Sequence, residues 1–164
     1  MVLLQDIARV VLIGIGATAV MDIWLLLLNR LGVPTLNFAF IGRWVGHLAR
    51  GRFAHQAIAK ALPIPTEVPL GWVTHYAVGI GFAGLLAGIE GLEWVRQPTL
   101  LPAVTVGIGT AVIPLSVMQP AMGAGFAGSR TSAPLKNFVR SIANHGVFGA
   151  GLFLAAILVT RVWQ

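Results

Sequence analysis

Four stretches of about 20 predominantly apolar residues constrain this 164-residue chain more than any other feature. They lie near residues 9–29, 69–89, 99–119 and 138–160. As a helix, each is long enough to cross the hydrocarbon core of a bilayer, about 30 Å thick. Backbone in contact with lipid must satisfy its own hydrogen bonds, which a helix does. The sequence therefore predicts an all-α, polytopic membrane protein that forms a single membrane domain over residues 1–164.

Composition and charge exclude the main alternatives. Only 10% of the residues are charged, against about 25% in soluble domains, so a water-facing surface could not be covered. The formal net charge of +6 arises from basic residues spread through an apolar chain, which is more typical of membrane orientation than of nucleic-acid binding. The predicted partners are the lipid bilayer and, through glycine-rich helix faces, a second copy of the chain. Nucleic acid is not a predicted partner.

The basic residues are distributed unequally between the two sides of the predicted spans. Eight follow spans one and three, and three lie on the opposite side together with Asp6, Glu90 and Glu93. The eight are Arg30, Arg43, Arg50, Arg52, Lys60, Arg130, Lys136 and Arg140, and the three are Arg9, Arg96 and Arg161. By the positive-inside rule, both long loops are cytoplasmic and both termini are on the outer side.

The segment 36–61 is too polar to cross a membrane. Apolar residues recur in it at helical spacing, first from Phe38 to Leu48 and then from Phe53 to Ala61. This pattern predicts a surface insertion of two short amphipathic helices on the cytoplasmic face, on which His47 and His55 would be solvated. Three prolines at 63, 65 and 69 exclude one continuous helix from this segment into span two.

Two pairs of spans share short patterns. His75 and His145 each begin a His-x-x-x-Gly-x-Gly sequence in spans two and four, and Gly14 and Gly107 each begin Gly-Ile-Gly in spans one and three. One interpretation is a 2+2 internal repeat with a parallel pseudo-two-fold axis, in which the surface segment is an insertion in the first half. The other is a chance match between glycine-rich helices.

Three ionisable residues share one depth in the predicted spans. Asp22, His75 and His145 each lie roughly 9–14 Å from a cytoplasmic helix end. Ionisable residues inside a span are costly and are functional-site candidates by default. Glu67, Gln119 and Arg43 flank the same membrane side as a predicted second layer of contacts.

Three interpretations of this trio stay open. Two histidines and a carboxylate suit Fe(II), Zn or Mn, and no thiolate ligand is available because the chain has no cysteine. A bis-histidine haem b is the second, since Gly79 and Gly149 lie one turn beyond each histidine and would let a flat macrocycle approach the backbone. Those glycines equally suit close helix packing. The third is a hydrogen-bonded Asp–His pair that only holds helices together.

The third span and the loop after it carry two further signals. Pro114 frees a backbone carbonyl and predicts a distortion of span three. The glycine-rich segment 123–128 resembles a dinucleotide fingerprint, but it follows a helix instead of a strand and is better explained as a turn. Its backbone amides, with Ser129, Arg130 and Thr131, are candidates for holding a lipid phosphate.

Six sequence blocks together resemble a known family. They are Gly14-x-Gly-Ala-Thr-Ala-Val-Met-Asp-Ile-Trp24, Gly42-Arg-Trp-Val-Gly-His47, Gly71-Trp-Val-Thr-His-Tyr76, Gln97-Pro-Thr99, Gln119-Pro-Ala-Met-Gly-Ala-Gly-Phe-Ala127 and His145-Gly-Val-Phe-Gly149. They are similar to the bacterial membrane family called domain of unknown function 2938. The resemblance implies a bacterial inner-membrane protein whose pattern includes Asp22, His75 and His145, and it implies no particular reaction.

Three classes of function follow from these features. The first is a protein that holds a metal or haem at Asp22, His75 and His145. The second is a proton-coupled transporter or permease subunit that uses the same residues as a relay. The third is a structural or partner-binding membrane protein. Whether the chain is an enzyme is left open, because no nucleophile stands beside a general base in a recognisable motif.

Overall fold

The computed structural model describes residues 2–163, and its ordered elements are helical. The α-helices are α1 (Val2–Arg30), α2 (Phe38–Leu48), α3 (Glu67–Glu90), α4 (Leu92–Arg96), α5 (Leu100–Gly109), α6 (Gln119–Ala121) and α7 (Pro134–Val162). Short 3₁₀ turns occur at Ile58–Lys60 and Phe126–Gly128, and a π-helical run at Pro114–Met118.

Four helical segments are long and apolar enough to cross a membrane. They are Leu3–Arg30, Glu67–Glu90, Leu100–Ala121 and Pro134–Val162, and we call them the membrane-length helices. The prediction of an all-helical chain with four such helices is confirmed. The first, second and fourth extend beyond the apolar stretches, because a helix continues through polar turns until a breaker stops it. Pro69 does not interrupt α3, since it lies in the first turn, where no intrahelical N–H is needed.

The third membrane-length helix is distorted. Its regular α-helical part, α5, ends at Gly109 and is followed by a turn at residues 110–111. A π-helical run then begins at Pro114, and the Gln119 N–H donates to the Pro114 carbonyl five residues back. Proline cannot supply the regular hydrogen bond, so the winding changes where the sequence predicts a distortion.

The segment 36–61 forms one of the two predicted helices. The first is present as α2. The prediction of the second is wrong, because only a single 3₁₀ turn forms at Ile58–Lys60. The Arg43 guanidinium accounts for the difference. It donates to the carbonyls of Ile58, Ala59 and Ala61, and these carbonyls are therefore engaged outside a helix.

The chain divides into two compact units. Among the described residues, unit 1 comprises 2–34, 76–110 and 143–163, and unit 2 comprises 35–75 and 111–142. Helices α3 and α7 each contribute residues to both units.

Unit 1 has a core of small and branched side chains from five helices. Its fully buried members include Ile13, Ala17, Leu86, Ala103 and Leu152. Trp94 and Val95 of the short helix α4 join this core. The buried Asp6 carboxylate of α1 accepts from Arg96 of α4 at 2.7 Å, which ties the two helices together at this end.

Glycines allow the helix backbones of unit 1 to touch. A methyl group added to Gly14 of α1 would lie 2.5 Å from Ile80 Cα of α3, and one added to Gly79 would collide with Thr18. In the same way, a methyl group on Gly107 of α5 would collide with Gly149 of α7. Because the hydrophobic effect does not drive helices together inside a bilayer, such close packing is a main source of helix association in membranes.

We expect glycine substitutions to divide by their surroundings. Gly107→Ala should lower stability by about 1–3 kcal/mol, because the added carbon meets backbone that cannot move aside. Gly84→Ala is the matched control, since nothing lies within 4 Å of its added carbon, and alanine is the better helix former by about 1 kcal/mol. Unfolding of the purified protein in detergent measures both. Equal stability of the two variants would contradict the packing role of Gly107.

Unit 2 is organised around α2 and residues 52–61, which cross it and which we call the crossing segment. Its apolar centre consists of Ile41, Ile58 and Met122. The backbone of residues 55–58 runs beside that of 121–122, with the His55 N–H donating to the Ala121 carbonyl at 2.8 Å and the Ile58 N–H to the Met122 carbonyl at 3.0 Å. Gly123 is necessary here, because its φ of +95° and its contact with the Gln56 carbonyl leave no room for a side chain.

Candidate functional site

Three side-chain hydrogen bonds join the membrane-length helices of unit 1, and we call them the polar pairs. They link α3 to α1, α1 to α7, and the residue after α5 to α7. The pairs are Tyr76 with Asp22, Trp24 with Asn144, and Thr110 with His145, each at 2.9 Å. All three are partly buried, so polar groups connect four helices within an otherwise apolar unit.

The Asp22 carboxylate accepts a hydrogen bond from the Tyr76 hydroxyl through its Oδ2 atom. A carboxylate inside a membrane-crossing helix is costly, and a hydrogen bond from a hydroxyl group reduces that cost. The sequence interpretation missed Tyr76. It is the only tyrosine in the chain and follows His75 directly, and this was the available signal.

The hydrogen bonds of Thr110 fix the tautomer of His145. The Thr110 hydroxyl has one proton, which it donates to the Gly107 carbonyl at 2.6 Å. Its oxygen must therefore accept from His145 Nδ1, so Nδ1 carries the proton and Nε2 is the nitrogen at which the ring gains or loses a further one. The Phe82 ring, with its centroid 6.3 Å away, also packs near the imidazole.

His75 belongs to unit 2, where aromatic rings surround it. Its ring centroid lies 4.4 Å from that of Phe38 of α2 and 6.1 Å from that of Trp72 one turn earlier on α3. Asp22 and His145 belong to unit 1. Among residues 2–163, no three His, Asp, Glu or Cys side chains form a group that could hold a metal ion. A three-ligand metal site at Asp22, His75 and His145 is therefore without structural support.

The two glycines that favoured a haem are engaged in helix packing. A methyl group on Gly79 would collide with Thr18 of α1, and one on Gly149 would lie 2.7 Å from the Ala103 carbonyl of α5. Atoms of a neighbouring helix, and not open space for a macrocycle, face both glycines. Of the two interpretations of these residues, the structure favours close packing.

Arg43 and Glu67, predicted to flank the trio, pair with each other in unit 2. The Arg43 Nε and Nη2 atoms donate to the two oxygens of Glu67 at 2.8 Å each, which is the bidentate geometry of a strong ion pair. Both side chains are mostly buried, with exposed fractions of 10% and 16%. Hydrogen bonding to Glu67 raises the pKa of Arg43 in spite of the opposing effect of burial, so the guanidinium stays charged.

The prediction that His47 and His55 are solvated is wrong. Both are buried, and His47 Nδ1 lies 2.8 Å from His55 Nε2 with the rings stacked. Burial, followed by the charges of Arg52 and His47, lowers the pKa of His55, which favours its neutral form. The helical pattern of apolar residues places both histidines on the polar side of surface helices. Nothing in that pattern indicates that the segment after α2 folds back over α2.

The remaining predicted residues lie in the loop after α6. Gln119 Oε1 is buried and accepts no hydrogen bond from the described residues. Within the predicted segment 123–128, the backbone N–H groups of Gly123, Ala124 and Gly128 donate to the carbonyls of residues 120, 119 and 125, so these three are not available for a phosphate. Ser129 and Arg130 are exposed, and the Thr131 hydroxyl donates to Gly128.

We expect Arg43→Ala to destabilise the protein by about 3–5 kcal/mol, because it leaves Glu67 as an uncompensated buried charge and frees the three carbonyls of residues 58, 59 and 61. Arg50→Ala, which removes an exposed arginine just after the same helix, should change stability by less than about 0.5 kcal/mol. Thermal unfolding followed by circular dichroism compares them. A loss of equal size in the two variants would show that the ion pair of Arg43 contributes little.

The fold and the polar pairs define a class, namely helical proteins with four membrane-length helices and polar contacts between them. Within this class, the family model described as a protein of unknown function (DUF2938) matches residues 11–159. The chain belongs to this family, as its six sequence blocks predict. Comparison with curated proteins and with solved structures found no match.

Proposed function

We propose that this chain is a proton-coupled transport protein of the bacterial inner membrane, and that the polar pairs of unit 1 carry the proton. The observation that supports it most directly is the pairing of Asp22 and His145, two residues that can change protonation, with hydroxyl groups on other membrane-length helices. Each pair places a protonatable group in contact with a second membrane-length helix. Ionisable residues in such positions are typical of proton relays in transporters.

The distortion of the third membrane-length helix supports the same proposal. Thr110, the partner of His145, is the residue at which the regular winding of α5 stops. Secondary transporters commonly place their coupling-ion sites where a spanning helix is interrupted, because the interruption frees backbone groups beside the site. Here the interruption and a titratable ring are in direct contact.

The proposed membrane orientation follows the distribution of basic residues. Eight lie in the loops after the first and third membrane-length helices, and three lie on the other side. Both termini would then face the periplasm, with α2 and the crossing segment on the cytoplasmic face.

A reporter enzyme that is active only in the periplasm tests this orientation when it is fused after Gln164. We expect full activity, and no fluorescence from a cytoplasmic-only reporter at the same position, because translocation follows the charge bias of the short loops. Fusion of the same two reporters after Arg50 is the matched control and should give the reverse result. Cytoplasmic activity at the C-terminus would overturn the orientation.

We further propose that the chain is a 2+2 repeat. Gly14 with Gly79 and Gly107 with Gly149 form equivalent close contacts between the first and second helix of each half. Each half also carries one polar pair, Asp22 with Tyr76 and Thr110 with His145, although the two pairs stand at different positions of the repeat. Each half would thus supply one protonatable group to the relay.

Proton flux into liposomes tests the transport proposal. The purified chain is reconstituted with a pH-sensitive dye inside, and a potassium diffusion potential drives protons inward. We expect acidification several-fold faster than in protein-free liposomes. Asp22→Asn and His145→Gln should reduce the rate to near background, since each removes a protonatable group from a polar pair.

Glu90→Gln is the matched control, because it also removes one carboxyl group but from the exposed end of α3. It should retain the wild-type rate. Wild-type flux equal to that of protein-free liposomes would overturn the proposal. The polar pairs would then serve to hold helices together, a role worth about 0.6–2 kcal/mol for each bond.

A further inference from the structure

We propose that His47 and His55 form a pH-sensitive latch that holds residues 52–61 across unit 2 at neutral pH and releases this segment in acid. The latch is independent of the proposed transport function and depends on a different set of contacts. It would make the exposed surface of this segment respond to the pH of the compartment it faces.

The segment is attached to the rest of unit 2 through side chains and backbone. The histidine pair connects it to α2 at 2.8 Å, and the Trp44 indole N–H of α2 donates to the Phe53 carbonyl at 2.8 Å. The Arg52 amide donates to the His47 carbonyl, the His55 and Ile58 amides connect the segment to residues 121 and 122, and Arg43 binds its last carbonyls.

The side chains of the segment are exposed from Arg52 to Ala54 and at Gln56. Two side chains of α2 therefore hold residues 52–56: His47 through His55, and Trp44, which also packs edge-on against the Phe53 ring. Of these two contacts, only the histidine pair can change its protonation.

The hydrogen bond between the rings makes the pair sensitive to protonation. His55 Nδ1 is buried without a hydrogen-bond partner among the described residues. At neutral pH, His55 Nε2–H can donate to His47 Nδ1, which leaves only a lone pair on the buried Nδ1 atom. When His55 gains a proton, the proton goes to the unpartnered Nδ1 atom, because Nε2 already carries the proton that is donated to His47. Protonation thus replaces a tolerated lone pair with a buried unsatisfied donor.

The surrounding charges do not offset this penalty. The charged groups that face the pair are Arg52 on the crossing segment and Glu67 at the start of α3. Arg43, one turn before His47 on α2, already binds Glu67 through both oxygens. The group that faces the pair from α6 is the uncharged Ala121 carbonyl. Arg50 and Lys60 are exposed to solvent. A positive charge on His55 is therefore disfavoured in the folded latch.

The direction of the pH dependence follows from linkage. The pKa of His55 is lower in the folded protein than its ordinary value of 6.5, so the unfolded segment binds more protons than the folded one below that value. The latch is fully formed above about pH 6.5 and weakens as the pH falls below it.

Spin labels report the position of the segment because the chain has no cysteine of its own. Labels on Ala54→Cys and Lys136→Cys, both exposed positions of unit 2, give a distance distribution by pulsed electron paramagnetic resonance. In the full-length protein in lipid nanodiscs, we expect one narrow distribution at pH 8 and a broader or shifted one at pH 5. Labels on Leu4→Cys and Gln97→Cys of unit 1 should give the same distribution at both values.

The variant His47→Asn with His55→Gln separates the latch from general acid unfolding. Its amides replace the two facing nitrogens but do not titrate in this range, so its distribution should be the same at pH 8 and pH 5. An unchanged wild-type distribution at pH 5 would overturn the proposal, and so would an equal pH response in the variant.

If that variant does not fold, nitrogen-15 nuclear magnetic resonance spectra of the wild-type histidines test the proposal instead. We expect the neutral tautomer with the proton on His55 Nε2 at pH 8, and its loss over the same pH range in which the distance changes. Retention of this tautomer at pH 5, or its loss without a change in distance, would overturn the proposal.

Discussion

Backbone contact between helices at glycine is the constraint on which the rest of unit 1 depends. Where Gly14 meets Gly79 and Gly107 meets Gly149, the helices approach more closely than any side chain would allow. This proximity lets short polar side chains such as Thr110 reach across to the next helix. It also explains why the core contains so many alanines, since larger residues would separate the helices. The polar pairs are thus a consequence of the glycine contacts as much as of their own chemistry.

Unit 2 is held by a different kind of interaction. Its apolar centre is small, and a single arginine, Arg43, connects its parts by binding a carboxylate and three backbone carbonyls. The carbonyls at residues 58–61 are those that a second helix would have used internally. Arg43 therefore stabilises the segment in a form that is not a regular helix, and the strength of a charged, bidentate contact makes this exchange favourable.

Hydropathy predicted the number and approximate position of the membrane-length helices, because apolar length is a property of the sequence alone. It could not predict the contacts between them. Asp22 accepts a hydrogen bond from Tyr76, which the sequence did not indicate as its partner. Which residue of a helix faces another depends on rotations of about 100° per residue that no single sequence reveals. The burial of His47 and His55 results from a reversal of the chain after α2. Such a reversal leaves no periodic pattern in the sequence, and for this reason the prediction that both residues are solvated is wrong.

The π-helical run at Pro114–Met118 has a consequence for how this region tolerates insertion and deletion. A hydrogen bond that spans five residues accommodates one residue more than the regular α-helical bond. Deletion of a single residue within the run would restore regular winding, at the expense of turning every later residue in the helix by about 100°. Gln119 would then leave its place beside Gly128, and the backbone at 121 and 122 would no longer meet residues 55 and 58. The extra residue thus sets the rotation of the helix end, so that the backbone at 121 and 122 meets a segment more than 60 residues earlier in the chain.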